Sequence, residues 1–93
     1  MGWLIMKIKI FNKQQLLNSR DTHIKYIKSK EYFEYIDDFG MEVNCIIPQM
    51  YGKEVEFSSE QFEDLKENIY HSVYCGDFKV YYWMLDTNKY FEL

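Results

Sequence analysis

The chain has 93 residues, of which 47% are hydrophobic and 19% aromatic, with one proline and four glycines. That suffices for one core but not for two domains, and it excludes the low-hydrophobicity composition of a disordered segment. The net charge of −4 opposes a surface that is basic throughout, the property on which phosphate-driven affinity for nucleic acid depends.

The charges are unevenly placed along the chain. Residues 1 to 30 carry Lys7, Lys9, Lys13, Arg20, Lys25, Lys28 and Lys30 against Asp21 alone, whereas the remainder carries four basic and fourteen acidic side chains. If the two parts segregate in the fold, the molecule is dipolar and steers charged partners; if they interleave, the surface is an ordinary solvated one.

The first ten residues open on a short apolar run, followed by lysines alternating with isoleucines. This is the pattern of neither a signal peptide nor a membrane span, so a cytoplasmic location is expected. Met6 to Phe11 alternates with period two and predicts a strand, with Met6, Ile8 and Ile10 inward and Lys7 and Lys9 wet. Asn12 stands in N-cap position before a short helical turn or loop ending at Ser19. His23 to Lys28 returns to a mixed strand pattern. Ser29 as a cap, acids in the following turn, apolar Tyr32, Phe33 and Ile36, and Gly40 as a stop predict a short amphipathic helix. Val43 to Ile47 predicts a short buried strand, ended by Pro48. Lys53 to Phe57 alternates again, with Val55 and Phe57 inward.

At Ser58 the period changes. Ser58 and Gln61 form the pattern of a capping box, and Phe62, Leu65 and Ile69 recur at helical spacing, which predicts a helix within 59–69. Its outer face carries Glu60, Glu63, Asp64 and Glu67.

Ile69 to Leu85 is the aromatic centre of the chain. Gly76-Asp77 suits a two-residue type II′ hairpin turn, because glycine at the first central position supplies the positive φ. Alternation after the turn puts Phe78, Val80, Tyr82 and Met84 on a core face and Lys79, Tyr81 and Trp83 on the other. Tyr74, Tyr81 and Trp83 are therefore expected to form an exposed aromatic contact surface. Asp86 or Thr87 then caps a terminal turn, with Tyr90, Phe91 and Leu93 available to the core.

Nothing in the chain spells out a catalytic set. His23, His71, Cys45 and Cys75 are isolated in sequence, and the glycines at 2, 40, 52 and 76 make no phosphate loop. Two cysteines are too few for a disulfide framework, so both are expected to be reduced, buried and structural. No metal, no cofactor and no enzymatic activity are expected.

Three stretches carry a resemblance: IKSKEYFE at 27–34, PQMYGKEVEF at 48–57 and the closing VYYWMLDTNKYFEL. They resemble small bacteriophage-encoded proteins similar to SH3-like β-barrels, through Lys28, Ser29, Glu31, Tyr32, Phe33, Tyr51, Gly52, Lys53, Val55, Trp83, Phe91 and Glu92. The resemblance covers about two thirds of the chain and brings no catalytic residue with it. Together these readings predict a single α+β domain, 1–93, mainly antiparallel β, as a small SH3-like barrel or curled sheet with one or two short helices. The expected function is a protein-interaction module that binds and inhibits a host defence or nucleic-acid-processing protein. Its partner-binding residues would be Glu60, Glu63, Asp64, Glu67, Tyr74, Tyr81 and Trp83. The alternatives are a nucleic-acid-binding barrel using the basic first third and a subunit that self-associates through the aromatic hairpin.

Overall fold

Alternation decides the first strand. In the computed structural model, which describes residues 4–87 and the backbone of Phe91–Glu92, β1 spans Ile5–Lys9. Met6, Ile8 and Ile10 are buried, while Lys9 is exposed and Lys7 half-buried. On one side β1 pairs antiparallel with β5, Glu54–Ser58, placing Met6 opposite Phe57 and Ile8 opposite Val55. On the other it pairs with β8, Phe91–Glu92. Lys7 lies 3.7 Å from Glu54 and 3.8 Å from Glu56, so the basic and acidic parts of the chain interleave on this sheet. These exposed pairs contribute little stability.

Between these strands the chain inserts α1, Lys13–Leu17, and an antiparallel sheet of β2, Ile24–Ile27, β3, Tyr32–Ile36, and β4, Glu42–Ile46. Asn12 caps α1 reciprocally with Gln15. The helix expected over 29–40 is instead the central strand of this sheet with a turn at each end. The reason is local: Glu31 adopts a φ of 56°, which reverses the chain after β2. Phe33 and Tyr35 are then buried with the period of a strand. Phe33 faces Tyr26 across the pair, ring centroids 4.8 Å apart.

The capping box at Ser58 and Gln61 forms and opens α2, Ser59–Glu67, which buries Phe62 and Leu65. Ile69 lies beyond this helix and is exposed. The hairpin follows as β6, Ser72–Cys75, and β7, Phe78–Tyr81. Gly76 has a φ of 63° and Asp77 a negative one, the signs that a type II′ turn requires.

The strand does not continue to Met84 as its alternation implied. After Tyr81, itself buried at the end of β7, a 3₁₀ turn at Tyr82–Met84 rotates the chain, so that Trp83, Met84 and Leu85 are buried and Tyr82 is only half-buried. The redirected segment runs along β1: the Phe11 amide donates to the Met84 carbonyl and the Asp86 amide to that of Lys9. The carboxylate of Asp86, itself buried, accepts from Gln15 Nε2 at 2.7 Å and ties α1 to this segment. The terminal turn expected after Asp86, with Tyr90 and Leu93, lies outside the described residues.

The result is a small α+β fold whose described residues form three antiparallel sheets, β5-β1-β8, β2-β3-β4 and β6-β7, that share one core and do not close into a barrel. No helix among the described residues is long and apolar enough to cross a membrane.

Candidate interaction surface

Helical periodicity positions the acidic side chains. With Phe62 and Leu65 turned into the core, Glu60, Glu63, Asp64 and Glu67 must face outward, and all four are exposed. Lys66 is the basic residue of this helix; its ammonium lies 3.7 Å from Glu63 and 5.6 Å from the Phe62 ring centroid. The face therefore keeps most of its negative charge.

A cleft of about 320 Å³ lies between α2 and the following turn, lined by Gln61, Asp64, Leu65, Tyr70, His71, Ser72 and Val73. The Nδ1–H of His71 donates to the Asp64 carbonyl at 3.0 Å, and the Tyr70 amide donates to Asn68 Oδ1 at 2.8 Å. These two bonds hold the turn against the helix, leaving Tyr70 exposed beside the acids.

The expected aromatic surface does not form. Tyr74 is exposed, but it lines a different groove, of about 390 Å³, with Lys53 to Glu56, Cys75 and Gly76. Tyr81, the last residue of β7, and Trp83 are core residues at 6% and 9% exposure; of the two, the 3₁₀ turn carries Trp83 inward. The Trp83 ring stands 4.7 Å from Tyr35 and 6.3 Å from Tyr81. Self-association through an aromatic hairpin face thus retains only Tyr74 of its three rings.

The groups that could have carried chemistry are engaged separately. His23 stacks on Tyr35 with centroids 5.1 Å apart, donates from Nδ1 to the Ile36 carbonyl at 2.7 Å, and places Nε2 3.4 Å from Asp38. Cys45 faces Glu34 across β3–β4, and Cys75 faces Phe78 across the hairpin. Both thiols are free and half-buried rather than fully buried. Among the described residues no three His, Cys, Asp or Glu side chains converge as metal ligands.

Burial pushes the Cys45 thiol above its ordinary range, and the carboxylates of Glu42 and Glu34 push it further; burial alone raises Cys75. Both cysteines should therefore react with a disulfide reagent at pH 7 more slowly than free cysteine, with rates still climbing above pH 9, roughly where an unperturbed thiol is mostly ionised. Stopped-flow labelling measures this, and a rate at pH 7 equal to that of free cysteine would contradict it.

The basic residues form a second surface on β2 and its flanking turns. Lys25 and Lys28 are exposed there, Lys13 sits 5.6 Å over the Tyr26 ring, and Lys30 sits 5.7 Å over Tyr32. A third feature escaped the sequence reading. Phe39 and Met41, on either side of the glycine expected to stop a helix, project from the β3–β4 turn at 87% and 65% exposure. No protein-family model, no curated protein and no solved structure matches this chain.

Proposed function

We propose that the chain is a non-enzymatic protein-interaction module, a small phage protein that acts in the cytoplasm of a host cell by binding and inhibiting a defence or nucleic-acid-processing protein. The observation that carries the protein-binding reading is the outward face of α2, where four exposed carboxylates meet one lysine beside the exposed Tyr70. Such a face complements the basic groove with which nucleic-acid-processing proteins hold phosphate. The phage origin and the inhibitory role rest on the resemblance in 27–34, 48–57 and the closing segment.

Reversal of Glu60, Glu63, Asp64 and Glu67 to lysine should slow association with the captured partner roughly 10- to 100-fold at low salt, with the penalty fading as salt rises. Stability should stay within about 0.5 kcal/mol, since exposed charges contribute little to it. Affinity capture from host lysate followed by surface plasmon resonance at two salt concentrations tests this. Unchanged association at low salt would remove α2 from the interface.

The basic surface on β2 favours one alternative, because lysines interleaved with tyrosines suit phosphate contacts and base stacking. Titration with DNA and RNA at two salt concentrations separates the readings. Tight, salt-sensitive binding that weakens when Lys25 and Lys28 are removed would replace the protein-partner reading.

A further inference from the structure

The β3–β4 turn is built to hold two apolar side chains in water. Asp37 Oδ1 accepts from the amides of both Phe39 and Met41 at 2.9 Å. The Asp37 amide donates to the Met41 carbonyl at 2.9 Å, and the Gly40 amide donates to the Asp37 carbonyl at 3.1 Å. Gly40, with a φ of 79°, permits the reversal. The base of the turn is fixed as well, since His23 Nδ1 donates to the Ile36 carbonyl and the Ile36 amide donates to the carbonyl of His23 at 2.8 Å. Phe39 at 87% exposure gains nothing from the fold that displays it.

We infer that this turn is an anchor: Phe39 and Met41 insert into an apolar pocket, bordered by lysine or arginine, on a folded protein partner. The inference rests on the protein-binding reading above and adds a second point of contact to it. Three observations select this occupant. An exposed aromatic on a pre-ordered turn pays little conformational entropy on docking, which is the economy of an interface hot spot. Along the chain the charge flanking the tip has one sign, since from Glu31 to Gly52 there are five acids and no lysine or arginine. Asp38 and Glu42, both exposed beside the tip, oppose an anionic membrane surface and favour a basic rim.

The test uses the full chain with benzoylphenylalanine at position 39 and, in separate samples, at 63 and 25, irradiated in bacterial lysate. An adduct from position 39 to one protein, mapped to a segment with both apolar and basic residues, is expected. Phe39→Ala should then weaken that complex about 30-fold while leaving thermal unfolding unchanged, and Glu42→Gln should weaken it less, in a salt-dependent way. Adducts from position 63 with none from 39 would overturn the anchor while leaving the protein-binding reading standing. An adduct to lipid or to a second copy of this chain would also overturn it, and the absence of any protein adduct at all three positions would sink both.

Discussion

Trp83→Ala should lower the stability of the fold by about 3–5 kcal/mol, and Trp83→Phe by no more than about 1 kcal/mol. The contrast follows from two features of one side chain. Its ring is nine-tenths buried against Tyr35 and Tyr81, so truncation empties a large volume at the point where the hairpin passes onto the first sheet. Its Nε1–H, however, is buried and meets no protein acceptor among the described residues. That donor lost its solvation on folding without an acceptor among the described residues to offset the loss, a cost of roughly 1–3 kcal/mol that phenylalanine does not incur. Relief of this cost offsets much of the packing lost with the smaller ring. Urea unfolding of the three proteins decides the matter. If Phe proves as damaging as Ala, the indole N–H has a partner in the folded protein.

Phe33→Ala should be equally severe for a different reason. Phe33 is 1% exposed on the central strand of the β2-β3-β4 sheet, with the Tyr26 ring on one neighbouring strand and Tyr51 at 5.9 Å. Removing the ring takes away contacts to both and leaves a cavity that a paired central strand cannot relax to fill. A loss of about 3–5 kcal/mol is a large part of the 5–15 kcal/mol typical of a small domain. It corresponds to a fall in Tm of roughly 15–30 °C at this chain length. Circular dichroism on heating measures it, and a fall below about 5 °C would show that Phe33 is not a core residue.

Where one physical rule acted alone, the sequence was legible. The alternation of Met6, Ile8 and Ile10 and of Val55 and Phe57 is the alternation of the paired strands, and Ser58 with Gln61 marks the start of α2. Gly76 marks the hairpin because a positive φ there calls for glycine. The same need arises at residue 31 but is met by glutamate, and without a glycine the turn before β3 looked like the first turn of a helix. That misreading hid Phe39, which only the turn beyond β3 exposes. The 3₁₀ turn at Tyr82–Met84 contains neither proline nor glycine, so nothing local announced that Trp83 would leave the outer face. The acids of α2 were legible for the opposite reason, because the inward positions of Phe62 and Leu65 determine the outward ones.

The route of the chain after that turn has a consequence for solubility. One flank of β1 is covered by β5, but the other is covered by Met84 to Asp86 at one end and by the two residues of β8 at the other. A chain cut before Phe91 leaves backbone groups beside Met6 and Lys7 without their partners, on a strand whose opposite neighbour is already in place. An open edge of this kind is completed as readily by a strand from another molecule as by its own. Lys7 and Lys9 discourage such pairing by charge, but Lys7 is held between Glu54 and Glu56, which weakens that protection. The short last strand thus guards the protein against aggregation out of proportion to the two residue pairs it contributes to the fold.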